Sequence, residues 1–448
     1  MQTDRRSELP WLAQCPLRET PGEIAAYFDR LWPLLRSITG AGVRRTHEIL
    51  GELVPLERIE IPSGTKCFDW TVPQEWICRE AYVVGPDGRR IADVAQHTLH
   101  LVNYSIAFRG TLSREELDAH LYSLPEAPEA IPYVTSYYAP RWGFCLPHAM
   151  RTRLPDGQYQ VVVDTEHVDG SLTLSQAVLP GEEPDEVIIS TYTCHPSLAN
   201  NELSGPLLAA FLYRRLAAIE RRRLTYRFVW LPETIGSLAY LARYGEHFRR
   251  RLVAGYVASC VGDRGPLTYK RSRRGHSAAD RAAIYALRRF QGESLRVLDF
   301  DPSGSDERQY CSPGFDLPVG VIARSIYGSY PEYHTSLDNR DFISFASLVE
   351  SVDAYLAVLG VLDANATYRR TLPCGEPQLG RYGLYPSLGG PTTRDEALTA
   401  LRWLLNLADG SQDQLAIAQR SGVALPVLEE AARRCLEAGL IERVAPVV

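Results

Sequence analysis

The sequence predicts an α/β protein built on an open, mostly parallel sheet with helices on both faces. It also predicts a small β-rich insert and a C-terminal winged-helix domain. Three observations point there. Between about 159 and 365, apolar runs of strand length alternate with amphipathic stretches, as in a parallel sheet wound by helices. Between 61 and 140 the texture changes to short β-type runs separated by turn signals such as Gly85-Pro86-Asp87-Gly88. After about 391, three helical stretches and a short strand follow, a helix-turn-helix pattern with a wing. At 448 residues the chain exceeds one ordinary core. The expected units are 21–60 with 141–375 as the main domain, 61–140 as its insert, and 385–448 as the winged helix.

Taken in order, 21–58 reads as helical, with Ile24, Phe28, Leu31, Leu34 and Leu35 at helical spacing and Pro33 splitting it in two. In the insert, 81–84, 91–94 and 98–104 read as strands. The run 159–164 is another, with 171–177 placed to hairpin with it. Residues 187–193 are apolar and β-branched, as a buried parallel strand should be. A long helix is expected over 204–223, with Pro206 tolerated in its first turn. Then come strand 226–231, helix 235–249, strand 252–261, helix 278–290 and strand 295–300. A short helix near 305–310, strand 319–324 and helix 342–362 complete the series. In the tail, 394–407, 412–419 and 425–440 read as helices.

Composition excludes several classes. A net charge of −6 argues against nucleic acid as the main ligand. Residues 391–448 hold six arginines against eight carboxylates, net −2, so the winged helix reads as a packing or protein-contact module. Nine cysteines without a CxxC pair fit neither a disulfide frame nor a zinc ribbon. No stretch approaches the roughly 20 apolar residues of a membrane span, and the first 20 residues lack the apolar segment of a secretory signal. A cytoplasmic protein with no membrane or nucleic-acid partner is expected; a homo-oligomer is compatible with everything above.

Ligands of open α/β sheets bind at the carboxyl ends of the strands. After 187–193 comes Cys194-His195-Pro196, after 226–231 Pro232-Glu233, and after 252–261 Gly262-Asp263. In the loop after 319–324 comes Tyr333-His334-Thr335. Each has a plain explanation alone: a surface histidine, a helix-capping Glu233, a turn-closing Asp263. Together they bring His, Glu, Asp and His to one edge, a donor set that zinc accepts. Cys194 and His195, adjacent on a strand, would face opposite ways and make no dyad. No GxSxG elbow, P-loop or GxGxxG is present. Of 48 basic residues only Lys66 and Lys270 are lysine. Lys270 with Arg271, Arg273 and Arg274 forms the densest basic cluster near the strand ends. It reads as an anion clamp for a substrate carboxylate or phosphate, or else as a solvated loop paired with acidic surface.

The run Thr191-Tyr192-Thr193-Cys194-His195-Pro196-Ser197-Leu198-Ala199-Asn200, followed by Leu203-Ser204-Gly205, resembles the first metal motif of aminopeptidase-like proteins related to the M28 zinc peptidases. Pro232-Glu233-Thr234-Ile235-Gly236-Ser237 resembles their glutamate motif. Cys260-Val261-Gly262-Asp263, Gly304-Ser305-Asp306-Glu307-Arg308-Gln309-Tyr310 and Tyr333-His334-Thr335-Ser336-Leu337-Asp338-Asn339 follow in order. Phe68-Asp69-Trp70, Val102-Asn103-Tyr104-Ser105 and Ile131-Pro132-Tyr133 are similar to the insert of the same proteins, the DUF2172/DUF4910 arrangement with a winged-helix tail.

The resemblance implies the zinc aminopeptidase fold and a set of roles. His195, Asp263 and His334 match metal ligands, and Asn201 stands where an aspartate bridges two metals. The glutamate pair that serves as base and ligand reads Pro232-Glu233 here. Asp306 and Tyr310 would line the pocket, where the basic cluster read above places Lys270 and Arg271 on the substrate. A neutral Asn201 is a poor bridge, though its neighbour Glu202 offers a substitute. The implied centre is therefore one zinc per chain rather than two, held by His195, His334 and either Asp263 or Glu202, with Glu233 as general base. Asp338 is either a partner of the His334 imidazole or a helix N-cap before Phe342. The expected activity is metal-dependent, aminopeptidase-like hydrolysis of an amide in a small peptide or N-acylated metabolite. The alternatives are aminoacyl cyclisation at a single zinc, and a partner-binding role in which Asn201 marks a decayed site.

Overall fold

In the computed structural model, Arg6 and residues 9–12, 14–385 and 396–444 are described. Eight strands form one large sheet: β1 (Glu57–Pro62), β2 (Ser171–Leu179), β3 (Glu186–Tyr192), β4 (Thr225–Leu231), β5 (Leu252–Ala258), β6 (Thr268–Lys270), β7 (Arg296–Leu298) and β8 (Val319–Ala323). Their spatial order is β1-β2-β4-β3-β5-β8-β6-β7. The central four, β4-β3-β5-β8, are mutually parallel. Antiparallel neighbours flank them, β2 beside β4 and β6 beside β8. β3 and β4 are buried along their whole length, which is why both read as apolar runs without alternation. β6 escaped the sequence reading because Tyr269-Lys270 sits in a basic stretch that resembles a loop.

One face of the sheet is covered by helices Pro21–Leu31, Ser204–Ala217, Ala278–Gln291 and Phe345–Ala364, which share one hydrophobic cluster. The other carries Ile235–Arg251 and the insert, in a second cluster. Phe345–Ala364 corrects one expectation: with a mean hydropathy of 1.7 it is long and apolar enough to cross a membrane. Here 78% of that apolar window is buried. Its charges are paired, Asp353 with Arg215 at 2.5 Å and Glu350 with Arg324 at 2.7 Å. Leu356 lies at its centre with no exposed surface. Leu356→Ala is expected to lower stability by about 2–5 kcal/mol, read from chemical denaturation.

The insert is larger than the sequence suggested. Its antiparallel sheet runs in the order Arg90–Asp93, Glu75–Val84, Gln158–Val168, Phe108–Ser113. The strand at 158–168 thus belongs to the insert and pairs on both sides there. It does not hairpin with β2, which joins the main sheet. The boundary expected at 140/141 moves to about 169. Residues 98–104 form no strand; Thr98–His100 is a tight helical turn.

The tail also begins earlier than 385. Strand Thr367–Arg370 pairs with Asp409–Asp413 and Ile441–Val444, closing the wing across helices Glu396–Leu407, Gln414–Ser421 and Leu425–Glu437. Arg394, the expected start of the first tail helix, lies outside the described residues. Leu401, Leu404 and Leu428 join the main-domain cluster, and Arg443 pairs with Glu183 at 2.7 Å. The tail is packed onto the main domain.

Candidate active site

The site forms where β3, β4 and β5 end. β3 stops at Tyr192, and the chain continues through Cys194 and His195 to a wide turn, Ala199–Leu203, before the next helix. Two groups hold this turn. The Asp338 carboxylate accepts the backbone N–H of Asn200 (2.6 Å) and Asn201 (2.9 Å). The Asn200 side chain accepts from the N–H of Gly262 (2.8 Å) and Asp263 (3.1 Å) beyond β5. Asp338 is therefore neither a histidine partner nor a helix cap. It ties the His334 loop to the His195 loop, and burial pushes its carboxyl up to about 7.

The His195 imidazole lies between two carboxylates. Nδ1 meets Glu202 Oε2 at 2.8 Å, and Nε2 stands 3.6 Å from Glu233 Oε2. Arg36, buried and out of range of any sequence motif, donates Nε–H to the His195 carbonyl (2.8 Å) and lies 3.8 Å from Glu202. Burial alone would depress the His195 pKa; Cys194 and Glu202 outweigh it and hold it well above the ordinary value. Cys194 corrects an expectation: its Sγ lies 3.4 Å from His195 Nδ1, because both residues follow the strand and strand alternation does not apply. Burial pushes that thiol up to about 11, leaving it neutral at pH 7.

His334 comes from across the sheet edge, its ring centroid 5.5 Å from that of His195. An insert segment holds it in place. Tyr133 N–H donates to the His334 carbonyl (2.8 Å), Ser336 N–H donates to the Ile131 carbonyl (2.9 Å), and the Tyr133 ring packs on both histidines. Burial, reinforced by His195, lowers the His334 pKa to about 3, so the ring is neutral. Its Nε2 is buried without a hydrogen-bond partner, as are Asn201 Oδ1 and Glu202 Oε1. Open nitrogen and oxygen acceptors close to the Glu202 and Glu233 carboxylates suit a borderline divalent cation.

Glu233 follows β4. Burial raises its carboxyl pKa, with His195 opposing. Next to it, Thr234 takes φ 63°, and His334 itself φ 57°, a left-handed backbone that L-residues adopt when their surroundings impose it. The imposing group at Thr234 is Asp306, whose Oδ1 accepts from Thr234 N–H and Ser237 Oγ, both at 2.8 Å. Burial, with Glu233 adding, pushes Asp306 up to about 7. Glu233 and His195 open onto a cavity of about 470 Å³ walled by Ile38, Trp70, Tyr138 and Arg308.

The structure brings His195, Glu202, Glu233 and His334 together and sets other expected site residues apart. The Asp263 carboxylate accepts from Asn200 Nδ2 (2.9 Å), Gly265 N (2.6 Å), Ser325 N (3.0 Å) and Ser325 Oγ (2.9 Å), which occupies it structurally. Asn201 donates Nδ2–H to Tyr192 OH (2.9 Å) and keeps only its carbonyl open. Lys270 is no anion clamp: it is 3% exposed and pairs with Glu307 at 3.0 Å. Arg271 bonds the Gly275 carbonyl (3.0 Å), and Arg273 and Arg274 pair with Asp316. Asp306 supports Glu233 from beneath the cavity wall, and Tyr310 is buried on Ser190 Oγ (3.0 Å). Sequence reasoning missed Arg36, Tyr133 and Arg308. Arg308 and Tyr133 lay inside quoted motifs without a role assigned to them, whereas nothing local marked Arg36.

Comparison with known proteins agrees with this fold. The family model described as "Domain of unknown function (DUF4910)" matches residues 25–365, and a winged helix-turn-helix model matches 366–443. A Clostridium acetobutylicum protein named "Putative polysaccharide biosynthesis protein with aminopeptidase-like domain" is 41% identical over 92% of this chain and 94% of its own length. A crystal structure described as a "putative peptidase" of that organism superposes with a TM-score of 0.85 at 39% identity, covering 95% of this chain and 96% of that one. The zinc aminopeptidase of Bacillus subtilis shares the fold at 13% identity and TM-score 0.55, over 77% and 94% of the two chains. The M28 peptidase precursor of Shewanella amazonensis does so at 13% and 0.52, over 77% and 92%. The family match over most of the chain, the 41% identical relative and the shared architecture make this chain a member of the DUF4910 family, with an aminopeptidase-like fold and a C-terminal winged helix.

Proposed function

We propose that the chain is a metal-dependent amide hydrolase of aminopeptidase type, acting on a small peptide or an N-acylated metabolite. One observation carries the reading: His195 Nε2 stands 3.6 Å from Glu233 at the wall of a cavity, and the His334 ring, its Nε2 unpartnered, lies 5.5 Å from the His195 ring. A single zinc would be held by these two imidazoles, with Asn201 Oδ1 the open neutral donor. Bound zinc supplies Lewis acidity, polarising a carbonyl and lowering the pKa of a water toward about 7.

The chain's own residues do the rest. Glu202 accepts the His195 Nδ1 proton, leaving Nε2 as the ligand atom, so it orients the histidine from behind. With both imidazoles committed, Glu233 is free to take a proton from water and return it to the leaving amine. The aromatic wall shields this exchange from bulk solvent.

The test is elemental analysis of protein purified without chelators or an immobilised-metal column, with assays against an amide library. About one zinc per chain is expected, with hydrolysis that chelation removes and zinc restores. Two ions per chain would overturn the single-ion arrangement. Absence of metal after zinc soaking, with no hydrolysis, would favour the partner-binding alternative. Release of a cyclised product lighter by water or ammonia would favour the cyclase.

A further inference from the structure

We propose that Arg308 is the anion-recognition residue of this cavity. The substrate is then an amide carrying a carboxylate, such as an N-acyl amino acid, rather than a peptide with a free amino terminus. The proposal deepens the hydrolase reading and rests on it for the identity of the scissile bond.

Charge bookkeeping around the cavity carries the argument. Arg308 projects from the short helix Glu307–Tyr310, and Asp306 at its start is bonded to Thr234 and Ser237. The guanidinium donates from Nη2 to Thr234 Oγ1 (3.2 Å), while Nε is buried without a hydrogen-bond partner. The other cations nearby are neutralised: Arg36 by Glu202, Lys270 by Glu307, and Arg273 and Arg274 by Asp316. Arg308 forms no ion pair among the described residues, although it lines the wall beside Glu233. A planar guanidinium with open donors is suited to a carboxylate.

A free α-ammonium finds no matching partner. Glu233 is the one carboxylate among the described residues lining the cavity, and an ammonium seated on it would occupy the general base. Glu202 is engaged by His195 and lies near Arg36. Asp306 has no exposed surface, and Asp263 is filled by backbone and side-chain donors. In the same lining, Ile38 and the edge-packed Trp70 and Tyr138 rings offer an apolar, aromatic surface to the rest of the molecule.

Binding separates this proposal from the chemistry. Full-length zinc-free protein with Glu233 intact would be titrated calorimetrically with three probes. These are N-acetylphenylalanine (an anion), N-acetylphenylalaninamide (neutral) and phenylalaninamide (a cation). The anion is expected to bind at least about tenfold more tightly than the other two. Arg308→Gln should weaken the anion about 10- to 100-fold and leave the neutral probe unchanged, and Arg308→Lys should recover part of the loss. Equal binding of all three, tightest binding of the cation, no binding of the anion, or an equal loss for every probe in Arg308→Gln would each overturn the proposal. Turnover by the unaltered chain is scored separately. Arg308-dependent anion binding without amide cleavage would sink the hydrolase reading alone, and cleavage without charge preference would sink this one alone.

Discussion

Glu233→Gln is expected to lower amide hydrolysis by about 10²–10⁴-fold while leaving the zinc content unchanged. The replacement keeps the shape of the side chain and removes only its capacity to accept a proton. The split between the two readouts follows from the geometry. Both imidazoles and the Asn201 carbonyl remain, with Glu202 still on His195 Nδ1 at 2.8 Å. Steady-state kinetics and elemental analysis of the same preparation decide it. Loss of zinc together with activity would make Glu233 a ligand rather than the base. An unaltered rate would remove it from the chemistry.

The second large effect concerns stability. Lys270→Met should destabilise the chain by about 3–5 kcal/mol, because it strands a buried carboxylate. Glu307 has no exposed surface and meets Lys270 Nζ at 3.0 Å and Tyr327 OH at 2.5 Å. The ammonium also donates to the Ser303 carbonyl (2.8 Å). Without the cation, Glu307 keeps only the tyrosine. Adding Glu307→Gln to Lys270→Met should recover part of the loss, since it removes the uncompensated charge. Denaturant midpoints of the single and double variants measure this. An anion clamp would behave the opposite way, leaving the midpoint in place and changing only ligand affinity.

Long buried elements were legible in the sequence because burial on both sides forces an apolar composition over many consecutive residues. β3, β4 and the helix at 345–364 were placed within a few residues for that reason. The strand at 158–168 was legible as a strand but not as part of the insert, since partner choice is decided by residues 80 positions away. In the site, His195, Glu233 and His334 could be read because each follows a strand of the parallel core. Asp263 obeys the same rule and fails it, because Asn200, Gly265 and Ser325 take its oxygens. Lys270 misled for a related reason: a rare lysine in a basic run looks solvated until the fold supplies Glu307. Arg36 and Tyr133 carry no periodicity and gain meaning only from what packs against them.

The attachment of Ile131 and Tyr133 to the His334 loop has a consequence for how the proposed active site matures. His334 sits about 200 positions from the segment that fixes its backbone, so it is seated by a contact of long sequence range. Loop closure of that span is entropically costly and slow, and is made late. A partly folded chain, with its main sheet formed and its insert undocked, would present His195 and Glu233 without the second histidine. The architecture thereby couples competence to completion: the proposed metal-binding pair forms only when the last segment docks. A folding intermediate would then be unable to cleave amides in its neighbours.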